Sequence, residues 1–131
     1  MKKQIISTSS APAAIGPYSQ AVLVSNNDGE QTLYASGQIA INPTTGNLVE
    51  DDIVAQTEQV MNNISAILSA AGMSFSNVVK TTCLLADINE FSMFNEVYGK
   101  RFPSDAPARS TFAAAALPKG ARVEVEIIAV K

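Results

Sequence analysis

The chain contains no histidine among its 131 residues, so the side chain that ordinarily titrates near neutral pH is missing. Serine triads are excluded with it, and so are zinc sites built on histidine. Cysteine occurs once, at Cys83, which rules out an internal disulfide and a cysteine-based metal site. Proton chemistry is left to carboxylates, tyrosine hydroxyls, backbone groups and water. Charged residues are sparse at 16%, against about 25% in ordinary globular chains. Interface cores are depleted in charge, so the shortfall points to surface covered by another subunit. No apolar run is long enough to span a bilayer, and no Gly-rich phosphate loop opens a helix. The net charge of −3 and a pI near 4.8 disfavour a non-specific nucleic-acid binder, which must neutralise phosphates.

What is present suits one domain over residues 1–131, able to bury a core on roughly two-thirds of its unfolded surface. There is no repeat, linker or low-complexity tract. The opening Met1-Lys2-Lys3-Gln4-Ile5-Ile6 turns polar at Ser7 and lacks the continuous apolar middle of a signal peptide. A cytoplasmic location is expected. Asn63-Ile64-Ser65 matches a glycosylation triplet, but it falls inside a predicted helix.

The apolar pattern gives the element order. Gln4–Ser7 reads as a short strand, and the Pro- and Gly-bearing stretch 9–20 as a loop carrying Tyr18. Ala21–Val24 and Gln31–Ile41 read as strands around the turn-prone Asn26-Asn27-Asp28-Gly29. Gly37 within the second run suggests a bulge or a close backbone approach. Ile53, Val60, Ile64, Ile67, Leu68 and Ala71 recur at helical spacing, capped by Asp51 or Asp52 and stopped by Gly72. Val78–Ala86 alternates as a strand, and Phe91, Phe94, Tyr98 and Phe102 mark one face of a second helix. Arg109–Ala116 and Arg122–Val130 close the chain as two strands. Strands, helix, strand, helix, strands describe an α+β domain with two helices on one face of a sheet.

Arg109 is the residue that most demands an explanation. It opens an otherwise apolar stretch running to Leu117. A guanidinium keeps its charge and offers a planar fork of donors shaped for a carboxylate. Desolvating it is costly unless a carboxylate meets it. Glu124 and Glu126, on one face of the last strand, are candidate partners, and so is a substrate.

The blocks Pro12-Ala13-Ala14-Ile15-Gly16-Pro17-Tyr18, Ser36-Gly37-Gln38-Ile39, Val79-Lys80-Thr81-Thr82 and Phe94-Asn95-Glu96-Val97-Tyr98 occur in order along the chain. Pro107-Ala108-Arg109-Ser110, Leu117-Pro118-Lys119 and Val123-Glu124-Val125-Glu126 follow. Together they resemble the RidA (YjgF/YER057c/UK114) family over nearly the whole length. The resemblance implies a chorismate-mutase-like α+β fold and a homotrimer with a site in each cleft between subunits. It also implies hydrolysis of reactive enamines and imines, 2-aminoacrylate and 2-iminobutanoate, shed by pyridoxal-phosphate dehydratases. The products are 2-keto acids and ammonia, with no metal or cofactor needed.

Carried over by position, the resemblance makes Arg109 the carboxylate anchor, Glu124 the group that activates water, and Tyr18 a donor or proton relay. Ser36, Gly37, Asn95 and Thr111 become substrate-binding positions. Family members of this subgroup usually carry cysteine where this chain has Thr111, so a thiol role is not expected there. Each residue also has a plain structural use. Arg109 could pair with Glu124 or Glu126, Tyr18 could be a packing residue, Gly37 a bulge and Asn95 a helix-boundary polar group. Two other functions compete: a metabolite-binding regulatory module that senses 2-keto acids without catalysis, and a ribonuclease or translation inhibitor. The acidic pI and the lack of basic clusters disfavour the second.

Overall fold

The computed structural model describes residues 1–131 and contains one six-stranded sheet and two helices. The strands are β1 (Lys2–Ile6), β2 (Ala21–Ser25), β3 (Gln31–Gln38), β4 (Val78–Leu85), β5 (Ala108–Ala113) and β6 (Val123–Val130). The helices are α1 (Ile53–Ala70) and α2 (Phe91–Gly99). The sheet order is β1-β2-β3-β6-β4-β5. Only β4 and β5 run parallel; every other pair is antiparallel. This is the expected mixed sheet with both helices on one face.

Alternation along β6 explains the layering. Val123, Val125, Ile127 and Ala129 are buried toward the helices, while Glu124, Glu126 and Ile128 point the other way. The buried side meets Val60, Ile64, Ile67 and Leu68 of α1 and Phe94 of α2 in one core. Fully burying such a side chain contributes about 1.5–3 kcal/mol. Asp52 caps α1 by accepting from the Ala55 N–H at 2.8 Å, and Gly72, at φ +69°, turns the chain away at its end. Asn63 lies within α1, where its amide donates to the carbonyls of Ile39 and Ile41. The glycosylation triplet is therefore a piece of buried helix.

That asparagine also explains where β3 departs from expectation. The strand ends at Gln38 rather than Ile41, because the carbonyls beyond it bond to α1 instead of to a neighbouring strand. Its pairing with β6 shifts register between Ala35 and Gln38, placing the bulge at Ser36-Gly37. At the other edge, β5 stops at Ala113 rather than Ala116, since its partner β4 ends at Leu85 and Ala114 makes the last bond, to Leu85. β1 begins earlier than the apolar pattern indicated because pairing with β2 extends to Lys2 opposite Ser25. Helix α2 ends at Gly99. Phe102 lies past it, yet its ring still reaches Tyr98, with centroids 4.9 Å apart.

The second face of the sheet carries no helix. Ile5, Tyr34 and Phe112 are each about half exposed there, at 53%, 50% and 52%. No helix is long and apolar enough to cross a membrane.

Candidate functional site

Two separate groupings emerge, one on each face of the sheet. The first surrounds a cavity of about 620 Å³ lined by Tyr18, Ser36, Gly37, Lys119, Glu124 and Glu126 among others. The Tyr18 loop is held by Gln20, buried at 3% exposure. Its side-chain amide donates to the carbonyls of Pro12 at 2.7 Å and Thr8 at 3.0 Å, and its oxygen accepts from the Thr8 N–H at 2.7 Å. Ser36 fixes the other end of the loop, its hydroxyl donating to the Ser19 carbonyl at 2.6 Å. Its one proton is thereby engaged with backbone. Tyr18 itself remains 54% exposed at the cavity rim.

Gly37 sits where β3 bulges, directly against the Glu124 carboxylate. Burial pushes the Glu124 carboxyl above the ordinary carboxylate range, and the negative charge of Glu126 two residues along pushes it the same way. Glu124 and Glu126 share a face, as the period-2 pattern required, but only Glu124 is half-buried while Glu126 is exposed. Burial thus distinguishes two residues that periodicity could not.

The second grouping lies on the helix side of edge strand β5. Arg109 is half-buried, and its Nη1 donates to Oδ1 of Asn95 at 2.7 Å. Its guanidinium carbon stands 4.9 Å from the Tyr98 ring centroid and 5.4 Å from that of Phe91. Phe91, Asn95 and Tyr98 are spaced i, i+4, i+7, so one stripe of α2 cradles the cation. Arg101 and Arg122 each pair with carboxylates, whereas Arg109 has none within 4.0 Å. Pairing with Glu124 or Glu126 of the same chain is excluded, because both project from the opposite face of the sheet.

Thr111, two residues along β5, turns to the same side as Arg109 and faces Cys83 in the β4 register. Its hydroxyl is buried and has no hydrogen-bond partner. β5 is an edge strand, so half of its backbone donors and acceptors are not used by the sheet. Cys83 is fully buried, and burial pushes its thiol above the ordinary range.

The structure therefore brings Tyr18, Ser36, Gly37 and Glu124 together, and separately brings Arg109, Asn95 and Thr111 together. It does not join the two sets within one chain. Sequence reasoning missed Gln20, whose polar side chain gave no sign of burial. It also placed Phe91 and Tyr98 in a helix face without seeing that the same stripe carries Asn95 toward Arg109. No group of three or more His, Cys, Asp or Glu residues is placed to hold a metal ion.

Residues 8–131 match the family model described as Endoribonuclease L-PSP. The chain is 55% identical over 129 residues to the 2-iminobutanoate/2-iminopropanoate deaminase of Capra hircus, covering 98% of this chain and 90% of that one. Among solved structures, YyfA of Yersinia pestis, from the conserved Rid protein family, superposes with a TM-score of 0.90 at 52% identity, covering 98% of both chains. RidA of an Antarctic Psychrobacter gives a TM-score of 0.90 at 45% identity, covering 98% of this chain and 99% of that one. Matched along nearly its whole length in sequence and in backbone, this chain belongs to the RidA (YjgF/YER057c/UK114) family, whose model carries the description Endoribonuclease L-PSP.

Proposed function

We propose that this chain is an enamine/imine deaminase, hydrolysing small 2-imino acids and their 2-aminoacrylate-type enamine tautomers to 2-keto acids and ammonia. The observation that carries the reading is Arg109: a half-buried guanidinium steadied by two rings and an asparagine, with no carboxylate partner of its own. A substrate carboxylate supplies the missing partner, gripped by two parallel N–H donors. The goat relative named for this activity supports the choice of substrate.

The chemistry needs few parts. An enamine accepts a proton at its methylene carbon and becomes an iminium. Water adds to the iminium carbon and loses a proton to give a carbinolamine. A proton then moves to its nitrogen, and the carbon–nitrogen bond breaks as the hydroxyl loses its proton, leaving the 2-keto acid and freeing ammonia. Glu124, whose affinity for protons is raised by burial and by Glu126, is suited to take the proton from water. Tyr18 stands at the rim as a donor or relay, and the bare backbone at Gly37 lets the carboxylate and ligand approach closely. Holding water and substrate together can supply several kcal/mol of the barrier. Neither a metal nor a cofactor has a step in this scheme.

Arg109 and Glu124 lie on opposite faces of one sheet, so a small substrate cannot touch both within a single chain. The reading therefore includes an oligomer, a homotrimer with one site in each cleft. There β5 of one subunit meets the Tyr18–Glu124 cavity of the next. The uncovered apolar face with Tyr34 and Phe112 supports such a contact. One catalytic domain over residues 1–131 in the cytoplasm completes the reading; the reducing cytosol suits a chain with one thiol and no disulfide. The ribonuclease suggested by the family description lacks the positive surface that phosphate binding requires.

The test is a coupled assay in which a serine/threonine dehydratase generates the imines and keto-acid release is followed. Acceleration by this protein, lost in Arg109→Ala, is the expected result. Binding of 2-keto acid without acceleration would favour the sensing module instead.

A further inference from the structure

Arg109 belongs to a closed circuit of three residues. Its register partner on the parallel strand β4 is Thr81, fully buried at 0% exposure. The Thr81 and Tyr98 hydroxyls share a hydrogen bond at 2.8 Å. The Tyr98 ring in turn lies under the Arg109 guanidinium at 4.9 Å. Tyr98 is 6% exposed and further held by Phe94 and Phe102, with ring centroids 5.3 and 4.9 Å away. The ring that supports the cation is thus locked to the strand that carries the cation. An arginine side chain is otherwise long and rotatable, and a strand edge gives it no fixed direction.

We propose that Tyr98 is a positioning residue for the Arg109 guanidinium and so sets the affinity of the site for the substrate carboxylate. Asn95 takes one edge of the fork at Nη1 and the rings of Tyr98 and Phe91 contact the cation. Donors not engaged by Asn95 remain for a ligand carboxylate. A cation on an aromatic face in a partly desolvated site is held more firmly than one against an aliphatic chain. Because the carboxylate is bound alike before and during reaction, the loss of Tyr98 weakens binding without slowing the bound complex. This inference rests on the proposed role of Arg109.

The test compares Tyr98→Leu and Tyr98→Phe by KM and kcat on 2-iminobutanoate, and by calorimetric Kd for 2-oxobutanoate. Each substitution is made in the Arg109 background for both readouts and in the Arg109→Ala background for Kd alone, since that variant does not turn over. Tyr98→Leu is expected to raise KM and Kd roughly tenfold, within the range of a cation–π contact, with kcat within about twofold. Tyr98→Phe retains the ring and is expected to lose at most about threefold. Neither substitution is expected to weaken binding further once Arg109 is alanine. Should Tyr98→Leu fail to fold, Tyr98→Met, which fills the same volume with a flexible chain, takes its place.

Full affinity in a folded Leu or Met variant, with Arg109→Ala still impaired, overturns the positioning role alone. An equal loss in both backgrounds does the same, since it marks a general structural effect. Full affinity in Arg109→Ala overturns the anchor and the positioning role together.

Discussion

A Cβ atom placed on Gly37 would lie 2.8 Å from Oε2 of Glu124 and 2.9 Å from its Cδ. Real side chains essentially never come so close, so the absence of a side chain at residue 37 is what seats the Glu124 carboxylate against the β3 bulge. Gly37 is not among the glycines with positive φ, so alanine is compatible with its backbone and the nearest conflict lies with Glu124.

Gly37→Ala is therefore expected to fold and to displace the carboxylate. A shift of about 1 Å in a reacting group costs roughly a hundredfold in rate. Steady-state kinetics should show kcat down by about that factor, with the melting temperature nearly held. A variant that is as active as the parent would mean Glu124 needs no fixed seat.

Glu124→Gln removes the group assigned to water activation while keeping its shape. Turnover should fall about 10²–10⁴-fold, the usual worth of a general base, while 2-oxobutanoate still binds. Stability should move the other way. The folded protein holds the Glu124 proton more tightly than the unfolded chain does, because burial and Glu126 raise its pKa. The parent is then most favoured at acid pH and loses stability as pH rises through the raised value. Glutamine escapes that loss, so its melting temperature should exceed the parent's at pH 7, and the gap should close below about pH 4. A gap that is absent or reversed at neutral pH, or one that persists below about pH 4, would contradict the burial of this carboxylate.

Cys83 should be chemically silent in the folded protein. It is fully buried and its thiol is pushed up by burial, so little thiolate forms and no reagent reaches it. An aromatic disulfide reagent should label it at least about a hundredfold more slowly before unfolding than after. Rapid labelling of the native protein would show that β4 opens, and with it the Thr81 contact behind Arg109.

Much of this architecture was legible in the chain. The alternation of Val123, Val125 and Ile127 fixed which face of β6 is buried, and a cap at Asp51 or Asp52 with a stop at Gly72 bounded α1 within a residue or two. Strand ends were less legible, because they depend on partners rather than on propensity. β3 stops early since Asn63 of α1 takes its carbonyls, and β5 stops where β4 does. The candidate site was legible as a set of residues but not as two half-sites. Periodicity tells which residues share a face of one strand. It does not tell that Arg109 faces the helices while Glu124 faces away, since that depends on the parallel register of Thr81 with Arg109 and the antiparallel register of Leu84 with Glu124.

That separation leads to the most direct measurement. Arg109→Ala and Glu124→Gln subunits, each inactive alone, are mixed, unfolded and refolded together, and imine hydrolysis is assayed. If each site takes Arg109 from one subunit and Glu124 from its neighbour, random mixing restores about a quarter of the sites. Activity should recover to about that fraction of the parent's. Mixed oligomers that form and remain inactive would contradict a catalytic site shared between two copies of this chain.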